Sequence, residues 1–121
     1  MTAFVNMKTT EQGFTALHFT AFKGNPNISR LLLANSADKF ALNFMGINCM
    51  HVAAQGDQPI SLYFFKQQGL DLRSRDNCGN TPLHWACYTC AEVAMVYLLS
   101  WVSTLDDKDH EGSTPLHMAV K

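Results

Sequence analysis

Four histidines stand at His18, His51, His84 and His117, each 33 residues beyond the last. Imidazole binds metals and moves protons near neutral pH, so four at one spacing are the first set to test for chemistry. A shared zinc ion needs each nitrogen within about 2.0–2.1 Å. Residues one unit apart in a stack of packed helices sit about 10 Å from one another, which is too far. The second set is Cys87-Tyr88-Thr89-Cys90, half of a closed zinc site. Only Cys49 and Cys78 remain to supply the other half. Cys78 falls at a turn, and Cys87 falls where alanine stands in a neighbouring unit, so a buried thiol in a small-residue slot is expected. A redox Cys-x-x-Cys would need a βαβ setting, and none is read here. Asp106, Asp107, Asp109 and Glu111 lack the glycine and terminal glutamate of a calcium loop. Neither a nucleophile–base pair nor a glycine-rich phosphate loop is found. The sequence therefore predicts no catalytic residue, no metal and no cofactor.

The same spacing has a structural meaning. Gly13-Phe14-Thr15-Ala16-Leu17-His18, Gly46-Ile47-Asn48-Cys49-Met50-His51, Gly79-Asn80-Thr81-Pro82-Leu83-His84 and Gly112-Ser113-Thr114-Pro115-Leu116-His117 align without a gap. Self-similarity at this period marks a stack of supersecondary units. Within one unit, Thr81 or Thr114 suits a helix N-cap, and Pro82 or Pro115 suits the first helical position, where an N–H is not needed. Asn48 replaces the threonine and is also a good cap. Ala53, Ala54, Ala86 and Ala119 allow close helix approach. A second helix follows, with apolar residues at helical spacing: Ile28, Leu31, Leu32; Leu62, Phe64, Phe65; Met95, Leu98, Leu99. Gly69 suits a left-handed helix stop, and Asp76-Asn77-Cys78-Gly79 suits the following turn.

These motifs resemble the ankyrin repeat, whose signature is Thr-Pro-Leu-His at this period. The resemblance implies an all-α solenoid of stacked helix-turn-helix units joined by hairpin-like β-turn loops. The boundaries are an extension over 1–12, repeats over 13–45, 46–78 and 79–111, and a partial fourth repeat over 112–121. It also implies that the motif histidines are structural, bonding backbone between neighbouring repeats. Some positions depart from the pattern. Ser36 and Val102 stand where Gly69 does, Asp57 and Cys90 replace Gly24, and Asn43 and Thr10 replace the turn aspartates Asp76 and Asp109. Lys121 falls inside the first helix of the fourth unit, and residues 1–12 supply no helix pair ahead of the first. The expectation is a piece of a longer protein or a truncated gene product.

Composition narrows the function. Apolar residues make up 47% of the 121 and charged residues only 16%, which argues against disorder. A net charge of −1 offers no field for nucleic acid. No apolar run is long enough to span a membrane, and the first residues lack a signal peptide's pattern. The cysteines carry no secretory context, so a reducing, cytoplasmic setting is expected. What remains is a non-catalytic module that binds a protein or peptide, and the ankyrin resemblance implies where: on a concave face built from turn tips and first helices. Phe14, Phe44, Met45, Ile47 and Asn80 map to the tips; Phe19, Phe22, Lys23, Val52, Gln55, Trp85, Tyr88 and Thr89 map to the helices. Aromatic-rich, charge-poor surfaces of this kind serve as binding hot spots.

A closer resemblance gives an alternative. His51-Val52-Ala53-Ala54-Gln55-Gly56-Asp57-Gln58-Pro59, Thr81 to Tyr88, and Leu98-Leu99-Ser100-Trp101 look like the ankyrin region of ankyrin-containing protein S-palmitoyltransferases. That resemblance implies a substrate-recruiting arm at the cytoplasmic face of a membrane-embedded parent, whose Asp-His-His-Cys motif lies further on. The 121 residues contain no such motif.

Overall fold

A computed structural model describes residues 6–101. Thr114, Pro115, His117, His110, Val102 and the acidic run after it lie outside the described residues. Within them are six helices: α1 (Ala16–Lys23), α2 (Pro26–Ala34), α3 (Cys49–Gln55), α4 (Pro59–Gln67), α5 (Pro82–Tyr88) and α6 (Glu92–Trp101). Successive pairs form three units. The short first helices α1, α3 and α5 pack in one row, and α2, α4 and α6 pack behind them. The fold is an all-α repeat stack with no strand among the described residues.

Each first helix starts the same way. The side chains of Thr15, Asn48 and Thr81 accept the N–H of the histidine three residues on, and that histidine's ring accepts the cap residue's own N–H. Histidine thus fills the role that glutamate usually plays in a capping box. Behind these caps, Leu17, Met50 and Leu83 are buried, and Ala21, Ala54 and Cys87 line the seam between rows. Phe65 and Leu62 of α4 and Leu98 of α6 are fully buried at the centre. Ile28 and Leu31, placed by their spacing among the apolar positions of α2, are 45% and 62% exposed. Their equivalents one repeat on, Ser61 and Phe64, are buried against the preceding unit. No helix pair precedes α1 among the described residues, so that flank of α2 stays open. Leu99 is also exposed, at the position that Lys66 holds in α4.

The departures from glycine keep the backbone that glycine would adopt. Gly24 has φ +71°, and its equivalents Asp57 and Cys90 have φ +57° and +58°; Ser36, at the position of Gly69, has φ +74°. Asp57 uses this strained conformation. Its Oδ1 accepts the N–H of Ala94 at 2.8 Å, capping α6, the helix of the next repeat. The first outer helix is capped by its own Asn25, but Ala91, before α6, has no side chain able to do so. Asp57→Ala is expected to cost about 1–2 kcal/mol, about 1 for the cap and the rest because alanine tolerates the left-handed backbone less well than aspartate. Asp57→Gly removes the cap but relieves the left-handed strain, and should cost less than about 1 kcal/mol. Urea titration of both variants checks this, and equal midpoints would show that left-handed strain contributes nothing.

Candidate functional site

The turn loops project from the helix rows and carry the tips. In the third, the buried carboxylate of Asp76 accepts the N–H groups of Cys78 and Asn80 at 2.9 Å through Oδ1, and Oδ2 accepts the indole N–H of Trp85 at 3.0 Å. Asn43 does the same one repeat earlier, accepting from Met45 and Ile47 at 2.9 and 2.8 Å. Its Nδ2 has no partner among the described residues, and valine stands at position 52, where repeat three has the indole that donates to Asp76. In the first loop Thr9, not the expected Thr10, takes the N–H groups of Gly13 and Phe14. Phe44 N–H donates to the Gln12 carbonyl and Asn77 N–H to that of Met45, linking consecutive loops.

The motif histidines lock these loops to the helices. The Nδ1 of His18 accepts the Thr15 N–H at 3.1 Å, so the proton lies on Nε2, which donates to the Ile47 carbonyl of the next repeat at 3.0 Å. His51 Nδ1 accepts from Asn48, and Nε2 donates to the carbonyls of Ser74 and Asn80 at 2.9 and 3.0 Å. His84 Nδ1 accepts from Thr81. Burial pushes the pKa of both His18 and His51 below the ordinary value of 6.5. With both ring nitrogens of His18 and His51 engaged by backbone, these imidazoles have no free lone pair for a metal. Burial likewise raises the pKa of the Cys49 and Cys87 thiols; Cys87 donates weakly to Met95 Sδ, while Cys78 and Cys90 are exposed.

Between these fixed points lies an open, apolar trough of about 350 Å³, lined by Phe14, Phe19, Phe22, Lys23, Val52 and Gln55 beside the edge of His18. Six of the residues expected on the concave face are thus brought together. Phe19 and Phe22 of α1 form one wall and are 53% and 42% exposed; Val52, 4% exposed, is the floor. Gly56 lets the end of α3 approach the end of α1 closely, since a Cβ there would lie 2.5 Å from the carbonyl oxygen of Phe22. One repeat further, Trp85 and Tyr88 meet edge to face at 5.8 Å. Trp85 is half-buried and held by Asp76, whereas Tyr88 is 56% exposed, with Thr89 beside it. Phe44 and Met45 are exposed at a tip.

Two expected tip residues are not surface groups. Ile47 and Asn80 are 3% and 8% exposed, because the carbonyls that receive the histidine protons belong to them and draw that part of each loop inward. Sequence reading also passed over Phe40 and Leu42, which are exposed on the loop that carries Phe44. The next loop has Arg73, Arg75 and Asn77 at those places. The alternation Phe40-x-Leu42-x-Phe44 was the available signal, since an extended segment puts such residues on one side.

No helix among the described residues is long and apolar enough to cross a membrane. Residues 50–121 match the family model for ankyrin repeats in three copies, and residues 12–44 match that for a single ankyrin repeat. Among individual proteins, the chain is 30% identical over 117 residues to palmitoyltransferase AKR1 of Lachancea kluyveri, covering 93% of the chain and 16% of that protein. It is 28% identical over 115 residues to the target of rapamycin complex 2 subunit AVO2 of Saccharomyces cerevisiae, covering 93% of the chain and 27% of that protein. Human inversin is 30% identical over 116 residues, which is 93% of the chain and 11% of inversin. The chain thus corresponds to about a quarter or less of each relative's length.

Proposed function

The chain belongs to the ankyrin-repeat family, whose repeats generally mediate protein–protein interaction, and we propose that its own partner seats in the trough between the aromatic walls on α1 and α5. The observation that carries this reading is the exposure of Phe19 and Phe22 beside the buried Val52, with Tyr88 exposed on α5 of the third unit. Large aromatics left in water next to a concavity bind well, because they bury much area with few rotatable bonds to fix. Asp76 fixes the indole of Trp85 before any partner arrives, which lowers the ordering cost further. The module performs no chemistry: its buried imidazoles act as capping and bridging groups.

Tyr88→Ala and Phe22→Ala are each expected to weaken binding of a protein or peptide partner by about 1–3 kcal/mol. Both side chains are exposed enough that the fold should stay intact, which circular dichroism checks. Unchanged affinity in both folded variants would place the partner elsewhere.

The alternative, a substrate-recruiting arm of a membrane palmitoyltransferase, draws support from the identity of 30% to AKR1. Human inversin is also 30% identical, so that identity alone favours no particular parent. Sequencing the transcript beyond the codon for Lys121 tests it; an Asp-His-His-Cys motif between spanning segments is the result it requires.

A further inference from the structure

The charge around the trough narrows what fits it. The only formally charged side chain lining it is Lys23, exposed in the last turn of α1. Lys23 forms no ion pair among the described residues. The other polar groups at this face, Gln55 and Thr89, are neutral. The nearest acid of the first loop, Glu11, is kept apart: it lines a separate depression on the far side of Phe14 and Phe19, whose rings lie 6.1 Å from one another. The trough therefore has an apolar floor, aromatic walls and, beside the last turn of α1, one cation that no acid among the described residues pairs with.

We propose, resting on the groove reading above, that the occupant is a peptide segment with a bulky apolar side chain over Val52 and a carboxylate facing Lys23. A basic residue at that end would meet like charge. A neutral one would leave the ammonium without a partner when the segment displaces water from its rim. The separation of Lys23 from Glu11 also sets direction, since a segment carrying a single acid gains by pointing it toward α1's C-terminal end and away from the first loop.

The test is selection of short random peptides displayed on phage against the immobilised 121-residue chain, repeated with Lys23→Gln and Lys23→Glu. The expected consensus for the unaltered chain pairs a bulky apolar residue with Asp or Glu. The acid should drop out of the consensus with Lys23→Gln and give way to Lys or Arg with Lys23→Glu. A synthetic consensus peptide whose acid is changed to the amide should bind the unaltered chain more weakly, by up to about fivefold, the upper end for a rim ion pair. It should bind the Lys23→Gln variant as well as its parent does. An apolar consensus without an acid, or an acid preference that survives Lys23→Gln, overturns this inference and leaves the groove reading standing. Consensus peptides whose binding is unaffected by both Phe22→Ala and Tyr88→Ala overturn the groove reading itself, as does a selection that enriches nothing.

Discussion

Phe65→Ala is expected to lower unfolding free energy by about 3–5 kcal/mol, the range for removing a fully buried aromatic. Phe65 is completely enclosed in α4, the central outer helix, and its ring meets Phe64 edge to face at 5.0 Å. α4 packs on α3 within its own unit and on the outer helices of both neighbours. A cavity there weakens one unit and two interfaces together. In a repeat stack the stability is close to a sum of unit and interface contributions, so a central lesion is felt along the array. The expected result by urea titration is a large fall in midpoint. Leu31→Ala, on the open flank of α2, should cost under about 1 kcal/mol because little of the side chain leaves water on folding. Equal losses for the two would mean that the centre of the stack is misplaced.

Much of this architecture was legible because one period repeats. The 33-residue spacing sets the register of all three described units, and from it the caps at Asn48 and Thr81 can be read directly. The groove residues on α1 and α3 follow from the same offsets. What stayed hidden depends on neighbours in space rather than in sequence. Asp57 reads as a poor substitute for glycine until Ala94, 37 residues on, is seen to need its carboxylate. Ile47 and Asn80 read as tip residues until the histidines of the preceding repeat are seen to draw in their carbonyls. Ile28 and Leu31 follow the apolar spacing faithfully, yet their burial depends on a unit beyond them. The aromatic walls were visible as residue types, but the close approach of α1 and α3 beside them required Gly56 to be set against the backbone of Phe22.

The same two histidines that join the repeats should make the stack sensitive to mild acid. Each ring accepts a backbone N–H at Nδ1, so adding a proton there turns an acceptor into a donor facing a donor. Burial penalises the imidazolium further and is the largest cause of the lowered pKa at both sites. Lys8 acts in the same direction on His18; Asp76 pulls the other way on His51 but is outweighed. In the unfolded chain both take up a proton near 6.5. Above that pH neither state is protonated and stability is complete. As pH falls below 6.5 the unfolded chain gains protons that the folded chain refuses, and stability drops until the folded pKa is reached, where the loss levels off. The slope approaches about 1.4 kcal/mol per pH unit for each histidine that stays neutral in the fold. Ordinary carboxylates titrate near 4, so a fall in urea midpoint between pH 7 and pH 5 belongs mainly to imidazoles. His51→Gln should lower the midpoint at every pH, through loss of its bonds to Ser74 and Asn80, and make the pH dependence shallower. Identical midpoints at pH 7 and pH 5 in the unaltered chain would show that the rings accept protons in place, and that the repeats are joined by something other than neutral imidazole.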